Sequence, residues 1–336
     1  MGKTKIEWVL GPNGERGETV NPIRFRNLET GKVGHYCEKL SPGCKNCYAS
    51  AMQKTYLSGL EFTAENRGKG ELFFDESQLE RVVRRRKPTG FFWCDMTDLF
   101  GKWVPDEWID ECFATMAATP QHLHYVLSKR ADRMLLWFRG VRKRRPIPGH
   151  GVCTGGAPFC GCVPGYDREH EAEVGYCGTE WPLRNVWIGV SVEDRANKYH
   201  IDFLRETPAA LRFLSFEPLL EDLGELDLRG ISLVIDGGES GPNARPAHPD
   251  WFRSIRDQCQ AARVAYFHKQ NGEWLHNEQG SADNLDAMLA AGARGATHRW
   301  SKRGGDYSLR VDKRDAGRLL DGVEHNGMPE VPNARS

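Results

Sequence analysis

Apolar residues recur along the chain in short runs, and from about residue 89 the runs take on a regular rhythm. Gly90-Phe91-Phe92-Trp93-Cys94 leads into Asp95-Met96-Thr97-Asp98, and His122-Leu123-His124-Tyr125-Val126-Leu127 leads into Ser128-Lys129-Arg130. Val186-Trp187-Ile188-Gly189-Val190 precedes Ser191-Val192-Glu193, and Leu211-Arg212-Phe213-Leu214 precedes Ser215-Phe216-Glu217. Leu233-Val234-Ile235 precedes Asp236-Gly237-Gly238-Glu239-Ser240, and Val264-Ala265-Tyr266-Phe267 precedes His268-Lys269-Gln270. Runs this short, rich in β-branched and aromatic residues and apolar on both faces, predict strands of a parallel sheet covered on both sides. Helical stripes fall between them. Pro105-Asp106-Glu107 opens one, with Trp108, Ile109, Cys112, Phe113 and Met116 on one face; Pro249-Asp250 opens another, with Trp251, Phe252, Ile255, Cys259 and Ala262. Six strand–helix units in succession predict an α/β fold: a complete or partial (β/α) TIM-like barrel over residues 1–274. An open doubly wound sheet gives a similar pattern.

Two segments depart from this rhythm. Residues about 144–182 hold Pro146, Pro148, many glycines and four cysteines without helical or strand period, which predicts a Cys-rich insertion. Residues 275–336 are rich in Gly, Asn, Arg and Asp and predict a peripheral, partly irregular C-terminal appendage, with a short Ala-rich helix near Leu285–Ala291. The composition, 39% hydrophobic and 27% charged, suits a packed core and excludes a disordered chain. Forty-six basic and 46 acidic residues cancel, which excludes a globally basic nucleic-acid coat and leaves room only for a local basic groove. The basic runs Arg84-Arg85-Arg86-Lys87 and Arg142-Lys143-Arg144-Arg145 are solvated faces or flank such a groove. No run of 18 apolar residues occurs and the start of the chain has no apolar signal region, so a cytoplasmic protein without membrane contact is expected.

Barrel chemistry sits where strands end, because loops there ring the mouth while side chains fill the interior. Each predicted strand end carries polar or ionisable groups: Asp95 and Asp98, then Ser128, Lys129 and Arg130, then Glu193, Glu217, Gly237-Gly238-Glu239 and Lys269. The sharpest local signal is His35-Tyr36-Cys37-Glu38-Lys39-Leu40-Ser41-Pro42-Gly43-Cys44-Lys45-Asn46-Cys47-Tyr48-Ala49. Cys37, Cys44 and Cys47 form a C-x6-C-x2-C loop in which the short limb turns two sulfurs toward one centre. Structural zinc wants four ligands, which the loop supplies only with His35 as the fourth. A [4Fe–4S] cluster held by three thiolates leaves one iron free for a small ligand.

Three cysteines ending in Cys-x-x-Cys-Tyr ahead of a β/α barrel resemble the radical S-adenosylmethionine (SAM) superfamily. The stretch from Ile6 to Trp274 resembles, more closely, a phage- and bacterium-associated family of uncharacterised three-cysteine-motif proteins that is radical-SAM-like. The matching segments include Ile6-Glu7-Trp8, Ser41 to Ala49, Asp98-Leu99-Phe100, Thr119-Pro120-Gln121-His122 and Ser128-Lys129-Arg130. Gly189 to Glu193, Arg212 to Leu219, Gly237 to Pro242 and Lys269 to Trp274 complete the set. The first cysteine gap, six residues, departs from the three that are commonest in the superfamily.

The resemblance implies a [4Fe–4S] cluster on Cys37, Cys44 and Cys47, SAM as cosubstrate and an external electron donor. It implies reductive cleavage of the sulfonium and hydrogen abstraction by a 5′-deoxyadenosyl radical. Gly237-Gly238-Glu239 matches by residue type the segment that holds the methionyl ammonium, although it comes late in strand order; Asp95 and Asp98 compete for that role or for a ribose contact. Ser128-Lys129-Arg130 binds the SAM carboxylate or a substrate phosphate, or instead pairs with Glu193 or Glu217; Lys269 is functional or caps the barrel. The substrate expected is a nucleobase, nucleotide or nucleic acid. Cys153, Cys160, Cys162 and Cys177, near His150 and His170, suggest a zinc knuckle or an auxiliary cluster. The rival reading is a zinc-stabilised nucleic-acid-binding or phage/defence-associated module without catalysis.

Overall fold

The computed structural model describes residues 4–141, 181–279, 296–301 and 305–330. Seven strands form one parallel sheet: β1 (Glu18–Val20), β5 (Gly90–Trp93), β6 (Leu123–Ser128), β7 (Val186–Ser191), β8 (Leu211–Phe216), β9 (Leu233–Gly237) and β10 (Ala265–Gln270). Their spatial order follows their chain order without reversal, so there is no switch point and the doubly wound alternative falls. The terminal strands β1 and β10 do not pair, and the sheet is a curled half-barrel rather than a complete barrel. All six strands predicted from apolar runs are present. The seventh, β1, is only three residues long and offers no run to detect.

The two faces of the sheet carry different cores. On the outer face Phe91, Trp93, Val126, Ile188, Leu214 and Val234 pack against the covering helices α3 (Asp106–Ala117), α4 (Ala131–Val141), α5 (His200–Glu206) and α6 (Pro249–Ala262). The apolar stripes of α3 and α6 bury Ile109, Cys112, Phe113 and Met116, and Phe252, Ile255 and Cys259, while Trp108 and Trp251 are half-buried and Ala262, expected on the α6 face, is exposed. On the inner face Phe92, Tyr125, Trp187, Phe213, Ile235 and Phe267 form a second cluster around Trp8. The Trp8 ring lies 5.1 Å from Phe92 and 5.7 Å from Phe213, and Tyr125 Oη donates to Leu10 O at 2.8 Å. The segment before β1 thus plugs the concavity that a closed barrel would fill with its own side chains.

Two small antiparallel sheets flank this frame. β2 (Ile23–Asn27), β3 (Val33–Gly34) and β4 (Gly70–Phe74) lie between β1 and β5 in the chain and carry the cysteine loop; the helices α1 (Tyr48–Tyr56) and α2 (Glu76–Arg84) belong to the same excursion. β11 (Trp274–His276), β12 (Thr297–Arg299) and β13 (Tyr307–Arg310) form the other, followed by the short helix α7 (Lys313–Ala316). From there the chain returns to the barrel: Gly327 N donates to Tyr266 O at 2.9 Å and His268 N to His325 O at 3.0 Å. The Cys-rich insertion and the Ala-rich helix near Leu285–Ala291 lie outside the described residues. Among the described residues no helix is long and apolar enough to cross a membrane.

A candidate active-site cavity under the cysteine loop

The cysteine loop lies across the C-terminal ends of the parallel strands, and side chains that follow β5, β6, β7 and β9 hold it there. Thr97, after β5, donates through Oγ1 to Tyr36 O. Arg130, after β6, donates from Nη2 to Glu38 O at 3.0 Å. Glu193, after β7, accepts from Ser41 Oγ at 3.0 Å and from Lys129 Nζ. Glu239, after β9, accepts from Asn46 Nδ2 at 3.0 Å, while Arg245 Nη2 reaches Pro42 O at 3.1 Å. Gly43 permits the close seat, because a Cβ there would stand 2.6 Å from Glu193 Cγ.

Beneath the loop is a cavity of about 270 Å³. Cys37, Cys44 and Cys47 line it together with Asp95, Asp98, Ser128, Lys129, Arg130, Glu217, Gly238, Glu239 and Lys269. Its apolar floor includes Trp8, Phe92 and Leu127. Among the described strand-end residues predicted from the sequence, Glu193 and Gly237 stand back from the wall. Glu193 is fully buried beneath Gly43, and Gly237 belongs to β9, where a Cβ would meet Glu217 and Gln270.

The ionised groups around the cavity are mostly spent on one another. Asp98 accepts from Ser128 Oγ at 2.8 Å, Lys129 N at 3.1 Å and Arg130 Nη1 at 3.0 Å. Ser128-Lys129-Arg130 therefore braces the mouth rather than presenting a free fork, and Lys129 pairs with Glu193. Lys269 stands 2.9 Å from Glu217, and Arg245 grips both oxygens of Glu239. Burial alone would raise the Glu239 carboxyl, but Arg245 and Asn46 outweigh it and hold it below the usual range. Asp95 is different. It accepts from Asn21 Nδ2 at 2.6 Å and from Tyr48 Oη at 3.3 Å, and no cation pairs with it among the described residues. Burial keeps its carboxyl above the usual range against those hydrogen bonds. The chain reaches this position through Cys94, whose φ of 60° turns the strand end sharply.

The three thiols sit in unlike surroundings. Burial pushes Cys37 up to about 12, against the pull of Arg130. Burial also opposes ionisation of Cys44, but Lys129 and the hydrogen bonds at Leu40 and Ser41 outweigh it and draw the thiol below its ordinary value. The sulfurs are not gathered around one point. Among the described residues, the one group of three potential ligand atoms lying within 4.8 Å of one another is His248, His276 and Asp306. A single ion would need its ligand atoms closer together than this, and the three thiols meet instead as lining of one cavity. His35, the fourth ligand of the zinc reading, instead bonds Ile23 O through Nδ1 at 3.0 Å and does not line the cavity.

The His248, His276 and Asp306 group has its own chemistry. Each imidazole Nδ1 accepts a backbone N–H, from Asp250 at 3.1 Å and from Glu278 at 3.2 Å. A neutral ring so held carries its proton on Nε2, and both Nε2 atoms face Asp306 Oδ1, at 3.4 and 2.8 Å. The group closes as a hydrogen-bonded triad, since a metal would need those Nε2 atoms unprotonated.

Asn46, Tyr48 and Arg245 shape the cavity or its loop without having been expected as site residues, whereas Gln270, which stands beside Lys269 in the last strand-end segment, lines the cavity with it. Tyr48 carried a signal, as the aromatic directly after the last cysteine; Arg245 carried none. The described basic run belongs elsewhere: Arg84 pairs with Glu80 and Arg85 with Glu18, at the opposite end of the strands from the cavity. Arg142-Lys143-Arg144-Arg145 and the second cysteine group, Cys153, Cys160, Cys162 and Cys177, with His150 and His170, lie outside the described residues. No curated protein and no solved structure matches the chain. A family model described as a protein of unknown function (DUF5131) matches residues 28–329, most of the chain, including the cysteine loop and the strand ends from β5 onward, and the protein belongs to that family.

Proposed function

We propose that the protein is a radical SAM enzyme built on a TIM-like half-barrel, with Cys37, Cys44 and Cys47 holding a [4Fe–4S] cluster. The observation that carries this reading is the convergence of all three loop thiols and the strand-end carboxylates and lysines on one cavity, at the end of a parallel sheet where barrel enzymes place their chemistry. The donor set fits the group: three thiols suit a cluster with one iron left to a small ligand. With SAM bound, such a cluster supplies one-electron cleavage of the sulfonium and a 5′-deoxyadenosyl radical that takes hydrogen from a substrate.

The chain's own residues bind, orient and exclude water. Asp95, the cavity carboxylate without a cation, is the seat for the methionyl ammonium, because an incoming positive charge there meets an uncompensated acceptor. Glu239 fills that role poorly, both its oxygens being taken by Arg245. Trp8, Phe92 and Leu127 keep the floor apolar, and Gly238, where a Cβ would stand 2.2 Å from Asn271 O, lets the cavity wall pack against the turn after β10. Lys129 holds positive charge beside Cys44 and favours its thiolate form.

Anaerobic reconstitution with iron and sulfide, followed by dithionite and SAM, is expected to release 5′-deoxyadenosine. Cys44→Ala is expected to abolish release, and Asp95→Asn to raise the SAM concentration needed by tenfold or more, roughly the loss of one charge-assisted bond. Wild-type protein that takes up the cluster and releases no 5′-deoxyadenosine refutes the reading. Zinc in place of iron after anaerobic purification favours the non-catalytic zinc module.

A further inference from the structure

Between Lys39 and Tyr56 the chain holds three lysines and no acidic residue. Lys54 pairs with Glu61, whereas Lys39 and Lys45 are exposed and in no ion pair among the described residues. On α1, Tyr48, Met52 and Tyr56 recur at i, i+4 and i+8 and so share one helix face, and they are 54%, 43% and 78% exposed. Three large apolar side chains in line on a surface helix call for a partner. The stripe runs into the cavity, because Tyr48 belongs to both: its ring is exposed while its hydroxyl donates to Asp95 O at 2.9 Å.

A second observation comes from inside the cavity. Gln270 lines it and is 6% exposed. Its Nε2 donates to Gly238 O at 2.9 Å, which fixes the amide's orientation, yet its Oε1 is buried without a partner. A buried acceptor left unpaired is costly, so the site is set for a ligand that brings an N–H. Every nucleobase carries one, on an exocyclic amine or a ring nitrogen.

We propose that the substrate is single-stranded nucleic acid, laid along α1 with bases stacked on Tyr48, Met52 and Tyr56 and one base turned into the cavity against Gln270 Oε1. Exposed rings preceded by unpaired lysines are a combination that holds single strands, the rings taking base faces and the lysines the phosphates. A duplex cannot present its stacked bases to such a stripe. The inference rests on the radical reading for the chemistry done, but strand binding itself needs no turnover and is measured separately.

The test is fluorescence anisotropy of end-labelled 12-nucleotide DNA and RNA strands, and of the matching duplexes, with the anaerobic full-length protein. Single strands are expected to bind at least tenfold more tightly than duplex, with affinity falling as salt rises. Tyr56→Ala, a surface change outside the cavity, is expected to weaken binding between roughly 5- and 150-fold, the range for one lost stacking contact, with melting unchanged. Lys45→Ala is expected to reduce the salt slope by about 0.7. Gln270→Leu is expected to weaken binding several-fold. Absence of strand binding, equal affinity for duplex, or full affinity in Tyr56→Ala overturns the proposal. So does a Tyr56→Ala protein that binds strands normally but is reduced more slowly by a protein electron donor, which assigns the stripe to that donor. Protein that cleaves SAM without binding strands sinks this inference alone, and protein that binds strands without cleaving SAM sinks the radical reading alone.

Discussion

At the residue scale, hydrogen-bond accounting decides protonation states that the sequence leaves open. His124 accepts from Trp93 Nε1 through Nδ1 at 3.0 Å, and its Nε2 faces Thr119 Oγ1 at 3.0 Å. A second proton would set two N–H groups against each other in a closed core. Burial, with His122 adding to it, accordingly pushes the ring down to about 3. The folded value lies below the unfolded one, so the stability His124 confers is complete above about pH 6.5 and is lost as pH falls toward 3. Urea unfolding between pH 6.5 and 4 is expected to show a slope of up to about 1.4 kcal/mol per pH unit from this residue, and His124→Gln should flatten it. Gly43 gives a second prediction. In Gly43→Ala the new methyl meets the buried Glu193, which Lys129 and Ser41 hold in place, so the loop must lift. A cost of about 1–3 kcal/mol is expected in thermal unfolding, together with weaker iron uptake. Residue types and spacing made the thiols and the strand-end charges legible. Which carboxylate stays free was not legible, because Arg245, which neutralises Glu239, lies in a loop with no pattern of its own.

At the element scale, the strands buried on both faces were readable because burial on two sides leaves an uninterrupted apolar run. The cysteine-bearing excursion between β1 and β5 was not read as a sheet, although Ile23-Arg24-Phe25-Arg26-Asn27 alternates as β2 and places Ile23 and Phe25 in a core. Five residues with two arginines between the apolar ones are too short an alternation to stand out from a polar loop. The small C-terminal sheet shows the opposite case, a metal-like group that hydrogen bonding explains. Its His248, His276 and Asp306 triad ties the start of α6 to β11 and β13 and is expected to respond as a hydrogen-bonded unit. Asp306→Asn keeps an acceptor for both Nε2 protons, whereas Asp306→Ala strands the nearly buried His276, so the alanine variant is expected to melt lower. Whatever shift zinc causes in the wild type through its cysteines should be the same in Asp306→Asn. A smaller shift in that variant would make the triad a metal site.

At the scale of the whole molecule, a half-barrel has the problem a closed barrel avoids, two open sheet edges. The returning chain covers the one at β10. Asn326 bridges Phe267, Gly327 N bonds Tyr266 O, and a Cβ at Gly327 would sit 2.7 Å from that oxygen. Asn271, just past β10, donates Nδ2 to Ala316 O at 2.9 Å and to Leu319 O at 3.1 Å, and Leu320 is fully buried against the outer core. Residues 316–327 therefore finish the barrel's edge, a role that low periodicity hid because single hydrogen bonds and one leucine do the anchoring. Leu320→Ala and removal of the chain after residue 312 separate the two contributions. Leu320→Ala should cost about 2–5 kcal/mol while the edge stays covered, lowering the melting temperature without promoting association. Truncation should lower it further and also raise light scattering on mild warming, since β10 then offers unpaired backbone groups to a neighbouring chain. Equal scattering from the two variants at matched stability would mean that the returning segment contributes burial alone, and that the half-barrel tolerates an open edge.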